Sequence, residues 1–421
     1  MMVPSNRLLV LAALAGVPLA AMAGLAPAAA AVCILALALV AAVVLGDGVA
    51  GMRRLQGVRA KTPPVVRLTK GVPASVPVTV ENPTQMQITL IGRPGGLPHS
   101  FVGSGVVPYP VTVTSRGEFA FTPLYLEALS PWGFWQTRAQ LPLDCSLRVY
   151  PNLRDRATAA LFRRTADPGV RLHRQVGKGR EFDNLRHYVP GDNFEDVNWK
   201  ATARRGFPTV KLYRVENAQE IYAVVDASRL SAREAVLEAY VDAALHLALV
   251  AQSQHDRFGL VTFSDRTHRL VRARNGMDHF RLCRETIYNL QARRVSPDFR
   301  EVFTSLQLNL RRRSLLMFFT SLDDALLAET FEKEIGLLAR RHLVLVNVVH
   351  PPGLRPLFEG EPPADLDSLY AGLAGQLVSN RLRALQIALQ GRGVRMAIVD
   401  PARIKQQITA AYLDVKRRQM L

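Results

Sequence analysis

Residues 177–214, GKGREFDNLRHYVPGDNFEDVNWKATARRGFPTVKLYR, decide how the rest of the chain divides. Acidic Asp192, Glu195 and Asp196 are interleaved with basic Arg186, Lys200, Arg204 and Arg205. Aromatic Phe182, Tyr188, Phe194, Trp199 and Tyr213 sit among them. Pro190-Gly191-Asp192 has the chemistry of a turn: proline presets φ, glycine accepts a positive φ, and an aspartate side chain can bond the nearby backbone. PTVKLYRVE alternates as a strand does. A solvated loop does not need this density of rings. The first reading is an ion-pair network that joins two domains, and the second is a surface for a partner protein. A catalytic centre comes last, because no nucleophile–base pair stands out. It would take the form of a metal-dependent hydrolase using Asp192 and Asp196, which requires those carboxylates in a cleft with perturbed protonation.

On either side of this stretch the pattern changes. Towards the N-terminus, residues 8–23 and 26–45 are apolar and uncharged. The second is long enough for a ~30 Å hydrocarbon core. Gly24-Leu25-Ala26-Pro27 between them reads as a turn, so residues 1–61 are expected to be a transmembrane helical hairpin. Arg7 before it and Arg53, Arg54, Arg59 and Lys61 after it predict both ends in the cytoplasm. A signal peptide cut after Ala21-Met22-Ala23 is the competing reading, weakened by the second apolar run. Residues 62–150 alternate in short runs broken by Pro and Gly, as in a small antiparallel β-sandwich. Residues 151–217 are read as an Arg-rich linker followed by the stretch quoted above. Residues 218–421 alternate apolar strands with amphipathic helices, which predicts an α/β doubly wound sheet.

Lys and Arg number 53 against 35 Asp and Glu, a net charge of +18 over 421 residues. Such a balance permits anionic lipid or nucleic acid as partners. The arginines are scattered and no nucleic-acid signature occurs, so a membrane-proximal surface is preferred. Cys33, Cys145 and Cys283 lie far apart without metal spacing and are expected to be buried free thiols. The histidines show no ligand spacing. The G-x-x-x-x-G-K-[ST], G-x-S-x-G and H-E-x-x-H frames are all missing.

The central stretch resembles the signature of the domain of unknown function 58 family of bacterial proteins: G-x-E-F-x-x-L-R-x-Y, P-G-D, an acidic spacer, then W-K-x-x-A-R. It is matched by Gly179, Glu181, Phe182, Leu185, Arg186, Tyr188, Pro190, Gly191, Asp192, Trp199, Lys200, Ala203 and Arg204. Arg116-Gly117-Glu118-Phe119 and Ser130-Pro131-Trp132-Gly133-Phe134 are similar to two further pieces, R-G-x-Y and D-P-x-G-L, with Ser130 where the family has Asp. The resemblance implies a MoxR-type AAA+ ATPase as partner and a role in assembling or activating other protein complexes.

Asp226 follows the apolar run IYAVV and precedes Ala227-Ser228-Arg229-Leu230. This resembles the start of a von Willebrand factor type A-like domain, whose metal site begins D-x-S-x-S. A carboxylate and two hydroxyls at alternate positions can share Mg²⁺. Here Leu230 takes the second hydroxyl position, Ser321 stands where a completing Asp is expected, Asp323 is displaced by two, and Pro297 replaces the middle Thr. The metal site at Asp226 and Ser228 is therefore read as degenerate, with Asp226 capping the helix that follows. The expectation for function is a membrane-anchored, non-enzymatic adaptor in a bacterial inner membrane. Residues 179–204 would fix the type A-like domain to the rest, and Asp226, Ser228, Thr320 and Asp323 would face the partner.

Overall fold

The computed structural model describes residues 1–25, 30–91, 98–121, 124–153, 176–214, 218–349, 366–418 and 420; of residues 176–184, 212–214 and 234 it describes the backbone alone. Most of the expected linker, residues 154–175, lies outside the described residues. The chain forms two compact units, Met1–Asn152 and Leu153–Leu421.

In the first unit, β1 (Met2–Pro4) leads into α1 (Asn6–Leu25). The turn Ala12–Gly16 of α1 is π-helical. Pro18 follows it and has no N–H to return to the preceding turn, and a wider turn accommodates that loss. α2 spans Ala30–Gln56. Both helices are long and apolar enough to cross a membrane, with mean hydropathies of 2.3 and 2.6. α2 runs past the expected end at residue 45, and its last third is buried at Asp47, Gly48, Gly51 and Leu55.

That burial has a specific cause. The Asp47 carboxylate accepts the Ser130 hydroxyl, the Trp132 N–H at 2.9 Å and the Phe134 N–H at 3.3 Å. Trp135 Nε1 donates to the Val44 carbonyl at 2.7 Å. Glycine eases this approach: a Cβ on Gly51 would lie 3.1 Å from Ser130 and Thr137, and one on Gly48 would lie 2.9 Å from Met2 Sδ and 3.1 Å from the Trp135 ring. The start of α1 meets the same turn, where the Ser5 hydroxyl donates to the Gly133 carbonyl at 2.5 Å. The entry of α1 and the end of α2 therefore sit together on one turn.

The strands of this unit are β2 (Arg59–Lys61), β3 (Val65–Thr69), β4 (Ala74–Glu81), β5 (Gln87–Ile91), β6 (His99–Val102), β7 (Gly105–Val111), β8 (Gly117–Ala120), β9 (Leu124–Leu129), β10 (Trp135–Leu141) and β11 (Ser146–Tyr150). They form sheets ordered β2-β4-β7, β3-β11-β8 and β1-β10-β9-β5-β6 around one core that includes Val76, Val78, Ile88, Leu90, Leu126 and Leu147. The expectation of a wholly antiparallel arrangement fails at one pair, because β3 and β11 run parallel. Nearly the whole domain lies between them in sequence, and parallel pairing needs such a long crossover.

In the second unit, β12 (Val176–His187) and β13 (Thr209–Arg214) form an antiparallel pair, and α3 (Trp199–Arg205) lies in the connection between them. The main sheet has strands β14 (Glu220–Asp226), β15 (Arg257–Phe263), β16 (Thr267–Arg274), β17 (Leu315–Phe319), β18 (Leu343–Val349) and β19 (Arg395–Val399). Their order is β16-β15-β14-β17-β18-β19, all parallel except the edge strand β16. Alternate residues of β14 enter different cores. Ile221, Ala223 and Val225 pack with α4 (Glu234–Ser253), α5 (Met277–Ile287) and α9 (Ile404–Arg417). Tyr222 and Val224 pack with α6 (Phe299–Asn309), α7 (Ala325–Arg341) and α8 (Leu366–Gly391). Helices thus cover both faces, which is why β14, β17 and β18 read as continuous apolar runs. Residues Ala235–Ser253 of α4 are also long and apolar enough to cross a membrane, but most of this helix is buried against the sheet.

Asp256, between α4 and β15, is buried and holds α9 in place. It accepts the Tyr412 hydroxyl and the Lys416 ammonium, the latter at 2.8 Å. Removing one member of a buried ion pair strands the other, at about 3–5 kcal/mol. Asp256→Ala is therefore expected to lower the melting temperature sharply, with Lys416→Met on top of it recovering part of the loss. An unchanged melting temperature for Asp256→Ala would show that the pair does not anchor α9.

Candidate functional site

Two places gather the polar residues that the sequence singles out. The first is the carboxyl end of the parallel strands, where adjacent strand ends can leave a crevice in such sheets. Asp226 closes β14 and is fully buried. One carboxylate oxygen accepts the Ser228 N–H at 2.7 Å, and the other accepts the Thr320 hydroxyl at 2.6 Å. Burial pushes the Asp226 carboxyl above the usual carboxylate range, and the bonds from Thr320 and Ser228 partly offset it. The Ser228 hydroxyl accepts the Leu230 N–H and caps the turn Arg229–Ser231. The Tyr240 hydroxyl of α4 donates to the Thr320 carbonyl at 2.8 Å and accepts the Val349 N–H at 3.1 Å. Asp226 is thus one knot in a buried network that joins β14, β17, β18 and α4.

These residues do not fit a magnesium ion, which needs several free oxygen ligands. Both Asp226 oxygens are engaged, and Leu230 offers none. The Ser321 hydroxyl lies 3.4 Å from that of Tyr240. Asp323 faces Arg233 at 3.9 Å and Asp324 pairs with Arg229 at 2.7 Å. Asp298 caps α6 by accepting the Glu301 N–H. Among the described residues no group of three or more His, Cys, Asp or Glu could hold a metal ion.

The expected partner surface also changes. Asp226, Ser228 and Thr320 are completely buried and cannot face a partner; of that set only Asp323 reaches the surface. The surface consists instead of a shallow pocket of about 230 Å³ lined by Arg229, Leu230, Arg233, Asp323 and Asp324. Arg229 is held at Nε by the Ser296 hydroxyl at 2.9 Å. Its hydrogen bond holds the Asp324 carboxyl below the usual range. Sequence reasoning missed Arg229, Arg233 and Asp324, although Arg229 directly follows Ser228.

A nearby trio also resembles a nucleophile and base. The Ser264 hydroxyl lies 2.6 Å from His268 Nε2 and donates to Asp265 at 2.6 Å. A serine has one proton to give. While the Ser264 hydroxyl donates to Asp265, that proton is not directed at His268. Ser264 is also completely buried.

The second place is the signature stretch. Gly179, Glu181 and Phe182 lie on β12, with only their backbone described. The turn forms as expected, with Gly191 at φ 110°. Asp192 accepts the Val189 N–H at 3.0 Å and pairs with Arg186 at 2.6 Å. Those two bonds hold its carboxyl below the usual range, so it closes its own loop. Leu185 and Tyr188 are half-buried, whereas Pro190, Lys200, Ala203 and Arg204 are exposed. Trp199 is 60% exposed. Its ring leans on that of Phe194, with centroids 5.4 Å apart, and most of it is open to water.

Two outcomes follow. Asp226 has a raised pKa in the folded state, so the unfolded chain ionises first as pH rises. Its contribution is fully present below the ordinary carboxylate range and is lost as pH climbs through the folded value. Asp226→Asn is expected to melt with the wild type in acid and above it at neutral pH. An Asn variant that melts lower at neutral pH would mean that the ionised carboxylate is needed. Trp199→Ala is expected to shift stability by no more than about 0.5 kcal/mol, the usual surface range; a large loss in thermal denaturation would show that the ring packs the fold.

Residues 184–355 match the family model described as protein of unknown function DUF58. No curated protein matches the chain. Solved structures similar to it include the conserved hypothetical protein BatB from Bacteroides thetaiotaomicron, at 13% identity over 47% of this chain and 99% of that one, with a TM-score of 0.31. An aerotolerance-related membrane protein from Bacteroides fragilis NCTC 9343 is 11% identical over 47% and 99%, with a TM-score of 0.27. The SpRpn10 VWA domain is 10% identical over 44% and 89%, with a TM-score of 0.26. The matched range takes in the signature from Leu185 to Arg204 and the sheet from β14 to β18.

Proposed function

We propose that the chain is a membrane-anchored, non-enzymatic adaptor whose strand-end surface docks a protein partner. The observation that carries this reading is the separation of polar roles at the strand ends. Asp226, Ser228 and Thr320 direct their hydrogen bonds to one another and to the backbone beneath the surface. Arg229, Arg233, Asp323 and Asp324 present both signs of charge around an open pocket. Such a rim suits recognition, where paired charges set register and select partners. Hydrolysis at Asp192 and Asp196 has less support, because Asp192 is bonded to Arg186 and Val189 within its own loop.

In this reading residues 218–421 are a doubly wound, von Willebrand factor type A-like domain with a degenerate metal site, and residues 62–150 are a sandwich-like support. The two apolar helices pass twice through a bacterial inner membrane. Arg7 on one flank and exposed Arg53 and Arg54 on the other keep both larger parts in the cytoplasm. The partner is a MoxR-type AAA+ ATPase, and the pair assists assembly or activation of other complexes.

The test is affinity capture of the full-length protein from its native membrane in mild detergent, followed by mass spectrometry. An AAA+ ATPase is expected with the wild type. The Arg233→Glu/Asp323→Lys variant, altered only at the surface, should retain wild-type melting and bring down about tenfold less, equivalent to ~1.4 kcal/mol of binding. Equal capture by the variant, or no ATPase with the wild type, would overturn the reading.

A further inference from the structure

The signature loop carries its rings on the outside. Val189, Phe194 and Trp199 are 53, 67 and 60% exposed. Phe194 and Trp199 lean on each other with ring centroids 5.4 Å apart, so they form a single apolar knob. Exposed Lys200, Arg204 and Arg205 follow on α3, against one exposed acid, Glu195, in the same loop. The loop beneath is firmly built. Asn198 N–H donates to the Thr209 carbonyl at 2.8 Å, Thr209 N–H donates to the Thr202 hydroxyl at 3.1 Å, and the His187 and Phe207 rings stack at 4.0 Å. The knob is therefore held out in water by its own support.

We propose that this knob contacts the membrane interface. Phe194 and Trp199 enter the boundary between headgroups and acyl chains of an anionic bilayer, and Lys200, Arg204 and Arg205 lie against the lipid phosphates. Three observations favour lipid over other occupants. A tryptophan ring, apolar with one polar N–H, suits that depth. The surrounding exposed charge is mainly basic, as a negatively charged leaflet requires. The same chain carries α1 and α2, each apolar enough to span a bilayer, so the membrane is always at high effective concentration. A contact too weak to hold a soluble protein then suffices. The inference does not depend on the ATPase or on the strand-end pocket. It assigns the basic, aromatic end of the signature to lipid.

The test uses the full chain in vesicles. A nitroxide on Ala203→Cys, exposed on α3, reports the site, while buried Cys33, Cys145 and Cys283 remain unlabelled. The readout is the ratio of relaxation by oxygen to relaxation by an aqueous nickel complex. That ratio is expected to rise several-fold from vesicles of phosphatidylcholine to vesicles that also contain phosphatidylglycerol. It should fall back in the Lys200→Gln/Arg204→Gln/Arg205→Gln variant and in the Phe194→Ser/Trp199→Ser variant, all surface changes. A label equally open to the nickel complex in both kinds of vesicle would overturn the proposal and leave the knob as a site for an acidic protein.

Discussion

The arrangement of the second unit depends on one buried carboxylate that, among the described residues, pairs with no cation. Asp226 satisfies its two oxygens with an N–H two residues ahead and a hydroxyl from the neighbouring strand. An isolated buried charge is costly, and hydrogen bonds recover only part of the cost. What the fold gains is geometry. The bond to Thr320 fixes the end of β17 against the end of β14. Tyr240 carries the same constraint to β18 through the Thr320 carbonyl and the Val349 N–H. Three strand ends and α4 are thereby held in one register, and the pocket of Arg229, Arg233, Asp323 and Asp324 rests on that base. At the other end of the sheet the solution differs: Asp256 has Lys416 as a direct partner and closes α9 onto the core.

The first unit uses a third carboxylate in the same structural sense. Asp47 stands on a helix whose preceding residues are almost all apolar, and it meets the amides of Trp132 and Phe134. This accounts for Ser130. In the D-P-x-G-L pattern an aspartate at that position could accept the turn's own amides. Here the acceptor arrives from α2, and the Ser130 hydroxyl donates to it while accepting the Trp135 N–H at 2.9 Å. The membrane-directed helices are consequently hydrogen-bonded to the sheet they carry, and are more than a greasy tether.

Much of the fold is legible in the sequence because it rests on periodicity. The apolar runs of β14, β17 and β18 and the helices between them follow from hydrophobic pattern alone. Residues 8–23 and 26–45 announce membrane length in the same way. The parallel pairing of β3 with β11 is not legible, since strand direction depends on which distant segments meet. The extension of α2 to Gln56 was hidden as well: the apolar run ends at Leu45, and the turn that meets Asp47 lies more than eighty residues away in sequence. Local propensity yielded there to tertiary packing.

The site was legible as a location but not as a surface. Asp226-Ala227-Ser228 marks the end of β14 correctly, yet sequence spacing cannot say whether a carboxylate points up into solvent or down into the sheet. Its short bonds to Ser228 and Thr320 turn it down, while Arg229, the residue after Ser228, lines the surface pocket. Residues chosen for their resemblance to a metal site are thus the ones that became structural. The signature stretch inverts in the opposite sense. Its rings suggested packing, because aromatic residues dominate cores, but Asp192 closes the loop with Arg186 and Val189, and Phe194 and Trp199 stand 67 and 60% exposed. Side chains released from the task of holding the fold are the ones free to bind something outside it, and in this chain Phe194 with Trp199 satisfies that condition.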